Sequence, residues 1–291
     1  MIRDFEYLSP KTLEEALAFL SQYQDECKII AGGQSLLILM RQGLIAPEYL
    51  VDIKGITELN YVQAEAKAGL RIGALTPHRA IEKSPLMKNS FSVLAEMEHR
   101  LASIQTRNWG TIGGNLCHAD PAGDPTSVLM ALNATVTTAS VKGKRTMAVE
   151  DFCKDYFETA LQHDELLVEI QVPPAPPHTG AAYTKFNIIE TDMAMVAVAV
   201  SITLGTSKDV CQDARIVLGA CASTQLRAKK AEEVLRGKKI TAGLLKEAGQ
   251  VASQEADPIS DVTASEEYRR ELVKVLVPRV GQKALDRARQ A

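Results

Sequence analysis

The sequence predicts an α+β protein built from two regions, and three observations support that prediction. Short apolar runs of strand length alternate with helical patterns in the N-terminal half. Residues 172–180, VPPAPPHTG, contain four of the chain's 12 prolines. Since proline fixes φ and lacks a backbone donor, neither a helix nor a strand can continue through them. After this break, strand patterns come first and helical patterns follow, which is typical of a small antiparallel sheet covered by helices.

Each element of the N-terminal half has a local signal. Thr12 and Glu15 have the spacing of a capping box and predict a helix start. Thr76 followed by Pro77 predicts a second start, with Thr76 as the N-cap and Pro77 at the first helical position. The other predicted elements are strands at 27–31, 49–53, 70–74, 134–141 and 165–172, helices at about 86–102 and at 124–132, and a glycine-rich loop between these two helices.

The C-terminal half has three strand candidates rich in alanine and valine. They are AAYTKFNI (181–188), AMVAVAVSITLG (194–205) and ARIVLGACA (214–222). Helical patterns then occupy 225–237, 244–256 and 265 to about 289. We therefore expect a three-stranded antiparallel sheet with helices packed on it.

Composition excludes several classes of protein. The chain has 291 residues, 46% of them hydrophobic and 24% charged, which is ordinary for a folded protein of two or three domains. Lys and Arg total 33 against 36 Asp and Glu, and aromatic residues make up 5%. Without a basic excess we expect no nucleic-acid partner.

Membrane insertion and structural metal sites are not expected either. The longest apolar run, 193–200, is far shorter than the roughly 20 residues of a spanning helix. The first residues, MIRDFEYLSP, carry charges where a signal peptide has an apolar segment. The five cysteines, at 27, 117, 153, 211 and 221, form no CxxC pair, which predicts reduced thiols and no zinc or iron–sulfur ligands. The expected location is the cytoplasm.

Two glycine-bearing segments carry the strongest functional signals. The first is KIIAGGQSLL (28–37), and the second is TRNWGTIGGNL (106–116), followed by HADPAGD (118–124). Paired glycines permit φ > 0 and close approach of the backbone to a ligand, and successive N–H groups in such turns bind anions. Two such segments would suit the two phosphates of a pyrophosphate. Neither the Rossmann fingerprint nor the P-loop motif is present.

The order and spacing of these motifs resemble one family. KIIAGGQSLL, LVDI, IGALT-x-H, RNWGTIGGNLCHADPAGD and HDELLVEIQVP occur in that order before a strand that carries a lysine. The chain resembles the FAD-binding medium subunits of the molybdenum hydroxylases, of the xanthine dehydrogenase, carbon monoxide dehydrogenase and N-heterocycle dehydrogenase type. The resemblance extends over nearly the whole chain.

The resemblance implies a particular fold. It consists of a two-subdomain FAD-binding domain of the vanillyl-alcohol-oxidase-like (PCMH) type and a C-terminal domain with a three-stranded antiparallel sheet and helices. On this chain the FAD-binding domain would span 1–175, with subdomains at about 1–55 and 56–175, and the C-terminal domain would span 180–291.

The resemblance also implies the residues that bind FAD. Asp124 matches an acid that hydrogen-bonds the cofactor, and Leu166 and Lys185 match positions that line its flavin end. The two segments that would hold the pyrophosphate from opposite sides are Lys28, Ile29, Ile30, Ala31, Gly32, Gly33, Gln34, Ser35 and Leu36, and Thr111, Ile112, Gly113, Gly114 and Asn115. Neither a catalytic acid–base residue nor a metal ligand is implied in this chain.

The sequence departs from the family pattern after Lys185. Many relatives carry arginines there and an aromatic residue after the following aspartate. This chain has Asn187 and two isoleucines at those positions, and Met193 after Asp192. The departure predicts a less polar flavin environment without an aromatic cap.

The function implied by the resemblance is electron transfer. A small iron–sulfur subunit with 2Fe–2S clusters and a large subunit with the molybdopterin cofactor would be the partners, in a heterotrimer or its dimer. The bound FAD would pass electrons to NAD⁺, a quinone or oxygen. One alternative is a stand-alone FAD-dependent oxidoreductase with its own substrate pocket, for which the roughly 110 C-terminal residues are few. The other is a nucleotide-binding module without redox chemistry.

Three residues near the second segment allow competing interpretations. His118 could be an acid–base group, although a role in shaping the loop is favoured. Cys117 could approach the cofactor or be an inert packed thiol. Trp109, the only tryptophan, could stack on adenine or pack beneath the loop.

Overall fold

The computed structural model describes residues 2–87 and 91–291. The helices of this part are α1 (Leu13–Tyr23), α2 (Leu36–Gln42), α3 (His78–Lys83), α4 (Ser92–Arg100), α5 (Ile104–Trp109), α6 (Ile112–His118), α7 (Asp124–Ala131), α8 (Lys229–Leu235), α9 (Ala242–Glu255) and α10 (Glu266–Gln290). The strands are β1 (Glu6–Leu8), β2 (Cys27–Ile30), β3 (Tyr49–Asp52), β4 (Val62–Glu65), β5 (Gly69–Gly73), β6 (Thr135–Ser140), β7 (Gly143–Ala148), β8 (Cys153–Asp155), β9 (Glu158–Thr159), β10 (Leu166–Val172), β11 (Thr179–Phe186), β12 (Val196–Leu204), β13 (Cys211–Gly219) and β14 (Leu226–Arg227).

The first sheet is parallel, with strand order β1-β3-β2. Helix α1 precedes β2, and its predicted capping residue is confirmed, because the Thr12 hydroxyl accepts from the Glu15 N–H at 3.2 Å. The Glu15 carboxylate in turn accepts from the N–H of Lys11 at 2.7 Å. The parallel pair β2 and β3 is joined by a crossover that contains α2, as a parallel pair requires. The first glycine segment lies where β2 enters this crossover.

The second sheet is antiparallel, with strand order β4-β5-β10-β6-β7. Its buried positions join helices α4, α6 and α7 in one apolar core. The predicted strands at 70–74, 134–141 and 165–172 are confirmed. Strands β1, β4, β7, β8 and β9 were not predicted, because their side chains are largely exposed and therefore lack an apolar pattern.

The third sheet is antiparallel, with strand order β11-β12-β13-β14. Its three long strands were predicted, but the helix predicted at 225–237 is wrong at its start, because the edge strand β14 occupies Leu226–Arg227 and the helix α8 begins at Lys229. Val196, Val198 and Val200 of β12 pack into the core formed with α8, α9 and α10. The alternate residues Ala197 and Ala199 pack into the core shared with α4 and α7. The valine–alanine alternation therefore places bulky side chains towards the covering helices and small ones towards the N-terminal half.

Several predicted boundaries shift in the structure. Helix α3 begins at His78 with Pro77 as its N-cap, one residue later than predicted. One helix was predicted at about 86–102. The structure has a 3₁₀ turn at Pro85–Met87 and the helix α4 at Ser92–Arg100. The part of the prediction that falls on residues 88–90 lies outside the described residues. The predicted glycine-rich loop is wrong, because α5 and α6 occupy it. The domain limits at 1–175 and 180–291, and the subdomains at about 1–55 and 56–175, stay predictions.

Candidate functional site

The first glycine segment is a turn between β2 and α2. Gly33 has a φ of +71°, which lies in the left-handed region that glycine adopts readily. Within residues 2–87 and 91–291, the backbone N–H groups of Gly32, Gly33, Gln34 and Ser35 have no hydrogen-bond acceptor. The Gln34 side chain is exposed and the other three residues are partly buried. Four neighbouring donors without internal partners are suited to bind an anion.

The second glycine segment is helical. Thr111 is the N-cap of α6, and its hydroxyl accepts from the Gly114 N–H at 3.1 Å. The N–H groups of Ile112 and Gly113 donate to the carbonyls of Thr76 and Ala74 at 3.1 and 3.0 Å. The positive φ that glycine permits is used at Gly33 and not at Gly32, Gly113 or Gly114. The first N–H groups of α6 are therefore used to attach the helix to the chain around residues 74–76.

The two segments are in direct contact. A Cβ atom built on Gly32 would lie 2.2 Å from the carbonyl oxygen of Trp109 and 2.7 Å from the Cα of Gly110. A Cβ on Gly110 would lie 3.5 Å from the Cγ of Gln34, and one on Gly114 would lie 3.8 Å from the Cβ of Ala31. Glycine is required at position 32 because backbone touches backbone there. The contact places the free N–H groups of the first segment beside the start of α6.

A buried pair lies behind the second segment. The N–H of His78 donates to the Gly110 carbonyl at 3.0 Å. The His78 Nδ1 lies 2.8 Å from Oε2 of Glu98, which is fully buried. Burial raises the pKa of Glu98, and His78 opposes that rise. The pair connects α3 and α4 to the turn that begins α6.

A second anchor holds α5, the helix that precedes this turn. Arg107, which is buried, donates to Glu82 at 3.1 Å and to the carbonyl of Leu101 at 2.7 Å. Although burial acts to raise the pKa of Glu82, hydrogen bonds from His99 and Arg79 and the charge of Arg107 lower it to about 2. Glu82 is therefore ionised at neutral pH and fixes the position of α5.

Asp124 and Lys185 form a buried ion pair between the N-terminal half and the third sheet. Asp124 is the first residue of α7, and Lys185 lies on β11; they are 6% and 4% exposed. The Lys185 Nζ donates to Oδ2 of Asp124 at 2.8 Å and to the Asp192 carbonyl at 3.1 Å. The Tyr183 hydroxyl donates to Oδ1 of Asp124. Burial raises the pKa of Asp124, and Lys185 acts against this rise.

The structure brings most of the predicted site residues together. A Cβ on Gly123 would lie 3.4 Å from Oδ1 of Asn115, so the second segment reaches the turn before Asp124. Leu166 lies in the same apolar cluster as Ile29 and Ala31. The side chains of Ile30 and Ile112 point into apolar cores, so only their backbones can face a ligand. Lys28 is exposed on β2, and Leu36 is partly buried at the start of α2.

Some residues that hold the candidate site in place were not predicted from the sequence. Tyr183 could have been found, because alternation along a strand places it on the same face as Lys185. Glu98 and Arg107 gave no signal, since their partners lie in other helices. Trp109 is 63% exposed, so the expectation that it packs beneath the loop is wrong, and stacking on adenine stays a prediction.

The remaining residues near the second segment are half-buried. Burial lowers the pKa of His118, whose ring lies 5.2 Å from that of Phe157. Burial raises the pKa of Cys117 to about 12, so its thiol is protonated at neutral pH.

Across the described ranges 2–87 and 91–291, no three His, Cys, Asp or Glu side chains are grouped to hold a metal ion. In the same ranges no helix has the length and apolar character to cross a membrane.

Comparisons with known proteins agree with one another. Residues 3–175 match the family model for the FAD binding domain in molybdopterin dehydrogenase, and residues 181–284 match the CO dehydrogenase flavoprotein C-terminal domain. The chain is 35% identical over 285 residues to the 6-hydroxypseudooxynicotine dehydrogenase complex subunit alpha of Paenarthrobacter nicotinovorans, covering 98% of this chain and 96% of that one. It is 35% identical over 273 residues to the glyceraldehyde dehydrogenase medium chain of Sulfolobus acidocaldarius, covering 94% and 95%. A solved structure of carbon monoxide dehydrogenase from Hydrogenophaga pseudoflava, which lacks the Mo-pyranopterin moiety of the molybdenum cofactor, is similar with a TM-score of 0.95, 33% identity and 99% of both chains covered.

Proposed function

The chain belongs to the family of FAD-binding medium subunits of the molybdenum hydroxylases, and from that premise we propose that it transfers electrons from an iron–sulfur subunit to a final acceptor. The family makes it an oxidoreductase subunit with FAD as its cofactor. The acceptor is NAD⁺, a quinone or oxygen. The proposed place of action is the cytoplasm, which is consistent with the five free cysteines.

The observation that carries the proposal is the set of free N–H groups at Gly32–Ser35. A pyrophosphate carries negative charge and accepts hydrogen bonds, so it matches four adjacent donors that lack partners within the described residues. The contact of Gly32 with Trp109 and Gly110 places the start of α6 alongside these donors. The residues present fit FAD.

We propose different roles for the two segments in holding the cofactor. The first supplies the hydrogen bonds to the pyrophosphate. In the second, the N–H groups of Ile112, Gly113 and Gly114 are already used, so its part is to offer a flat, side-chain-free wall. Gly114 is exposed and faces the first segment, which suits that part.

Asp124, Lys185 and Leu166 are the proposed contacts at the flavin end. When bound, FAD supplies a ring that accepts electrons singly or in pairs. Because Asp124 neutralises Lys185, the ion pair presents a fixed dipole rather than a net charge. Tyr183 holds the Asp124 carboxylate in place, and Leu166 contributes an apolar surface beside the first segment. These residues orient the cofactor without acting as acid–base catalysts.

We propose that the segment 187–193 makes the surroundings of the flavin less polar, because it exposes apolar side chains. Ile188, Ile189 and Met193 are 80%, 61% and 55% exposed. The Asn187 side chain donates to the carbonyls of Glu190 and Asp192 at 3.1 and 3.2 Å, which connects the start of the segment to its end. The Asp192 carbonyl also accepts from Lys185, so the segment is connected to the ion pair.

The proposed partners are a small iron–sulfur subunit with 2Fe–2S clusters and a large molybdenum subunit, in a heterotrimer or its dimer. Two relatives support this assembly. One is a subunit of the 6-hydroxypseudooxynicotine dehydrogenase complex, and the other is the medium chain of glyceraldehyde dehydrogenase. The solved carbon monoxide dehydrogenase is described by reference to a molybdenum cofactor, although the Mo-pyranopterin moiety is missing from that structure.

The test is purification of the tagged full chain from its native host. We expect a flavin absorption spectrum with about one FAD per chain, together with iron, molybdenum and two further polypeptides. A chain that purifies alone and oxidises an organic substrate at full rate would support a stand-alone oxidoreductase instead. A chain that takes up no FAD on titration would contradict both redox functions.

A further inference from the structure

One side chain of the third sheet's final loop reaches the turn before Asp124. Gln225 is 5% exposed. Its Nε2 lies 2.9 Å from the Asp120 carbonyl, 3.1 Å from that of Pro121 and 3.4 Å from that of Gly123. Three carbonyls of one turn converge on a single amide nitrogen, which has two protons to donate.

These carbonyls are only partly satisfied by the backbone. The Asp120 carbonyl accepts from the N–H of Gly123, and the Pro121 carbonyl accepts from the N–H of Ala220, both at 2.8 Å. Each carbonyl oxygen has two lone pairs, so a further donor is accommodated. Gln225 supplies that donor and ties the turn to the C-terminal half of the chain.

The turn lies between the parts of the candidate site. On one side, Gly123 approaches Asn115 of the second glycine segment. On the other side, Asp124 follows directly and pairs with Lys185. A shift of the turn would therefore move the ion pair relative to the glycine segments.

We propose that Gln225 is a positioning residue for the FAD site, acting through the turn 120–123 to set where Asp124 and Lys185 lie. The inference rests on the proposed function, since it takes Asp124 and Lys185 as cofactor contacts. The amide is chemically specific for this position, because a carboxylate of the same shape would direct acceptor oxygens at three carbonyl oxygens. An apolar side chain of the same length would fill the space and donate nothing.

The test is FAD titration of the full-length apo-chain, followed by flavin fluorescence and visible circular dichroism. We expect Q225M to raise the dissociation constant about fivefold, which corresponds to the loss of about one hydrogen bond. Q225E at pH 8 is expected to raise it on the order of thirtyfold, because a buried acceptor then faces acceptors. In the apo-chain, amide hydrogen exchange of Gly123 and Ala220 should accelerate in the same order.

Two matched controls separate positioning from stability. Gln171 donates its Nε2 to the Ala68 carbonyl at 2.8 Å, away from the turn, so Q171E makes the same chemical change elsewhere. V200A opens space in the core beneath α8, α9 and α10 and lowers stability without touching the turn. Neither control should change the FAD dissociation constant.

The outcomes are distinguishable. Wild-type FAD affinity and an unchanged circular dichroism band in both Q225M and Q225E would overturn the inference, as would equal losses of affinity in V200A and Q225E. If the wild-type chain itself takes up no FAD, the proposed function fails, and the inference about Gln225, which depends on it, is overturned as well.

Discussion

The two glycine-bearing segments look alike in the sequence and differ in the folded molecule. In the first, four successive N–H groups, from Gly32 to Ser35, have no acceptor within the described residues. In the second, the corresponding N–H groups of Ile112, Gly113 and Gly114 all have acceptors. One segment keeps its donors available for a ligand, and the other uses them to hold its own helix.

The difference shows that absent side chains serve two purposes here. At Gly33 the missing Cβ permits a left-handed turn, which aligns donors. At Gly32 and Gly113 it permits backbone to approach backbone or a neighbouring Cβ closely. The two purposes predict different consequences of adding a methyl group.

The largest effect is expected at the contact between the segments. In Gly32→Ala the new Cβ would lie 2.2 Å from the Trp109 carbonyl oxygen, so the backbone of one segment must move. We expect the free energy of unfolding to fall by about 3 kcal/mol and FAD retention to be lost. Chemical denaturation and flavin stoichiometry measure the two effects. Gly205→Ala is the control, since its Cβ would meet only Val210 at 3.8 Å; equal behaviour of the two variants would refute the contact.

A smaller effect distinguishes the two glycines of the second segment. A Cβ on Gly113 would lie 2.6 Å from both the Cβ and the carbonyl oxygen of Ala74, whereas Gly114 is exposed and its Cβ would meet Thr111 Oγ1 at 2.9 Å. Gly113→Ala should cost about 2 kcal/mol of stability. Gly114→Ala should change stability by less than about 0.5 kcal/mol, because alanine's better helix propensity offsets the crowding.

FAD affinity should report on Gly114 separately from stability. Gly114→Ala should weaken FAD binding more than its small stability change explains, since it adds a methyl group to the proposed wall. FAD titration beside thermal unfolding tests this. If Gly114→Ala binds FAD like the wild type, the second segment does not face the cofactor.

The last expected effect concerns the attachment of the second segment and depends on pH. The pKa of Glu82 is lowered to about 2 from an ordinary value near 4.5, so its stabilising contribution is complete above about 4.5 and disappears as the pH falls towards about 2. Glu82→Gln should cost about 1 kcal/mol at neutral pH and should flatten the loss of stability on acidification.

Urea unfolding at pH values between 6 and 3 measures this contribution. Glu247→Gln, at an exposed position of α9, is the control and should keep the wild-type pH profile. Identical profiles for Glu82→Gln and the wild type would show that the pair with Arg107 does not stabilise α5.

Local patterns predicted much of the fold correctly. The capping box at Thr12, the proline break after Val172 and the alanine- and valine-rich run of β12 each depend on a few neighbouring residues. The same locality explains the errors. Thr111 gives α6 an N-cap without the glutamate of a capping box, so the glycine-rich sequence predicted a loop. The short strands β1 and β7 are polar because their side chains face solvent.

The residues of the candidate site were predicted from the sequence, but the contacts that hold them together were not. The two glycine segments, Asp124 and Lys185 were all named from the motifs. Their relation depends on partners such as Gln225, which lies 105 residues from Asp120 along the chain. No sequence period extends over that separation, so a single glutamine in a loop gives no signal.

The sequence by itself determined where the backbone must lack side chains, where helices start and where the chain passes from one half to the other, because those properties depend on each residue and its near neighbours. Only the tertiary structure decided which glycine segment keeps its donors free. The acceptors that occupy the second segment are the carbonyls of Thr76 and Ala74, and the path of the folded chain brings them to α6. It likewise brought Lys185 to Asp124 across 61 residues, because burying either charge requires the other at hydrogen-bonding distance.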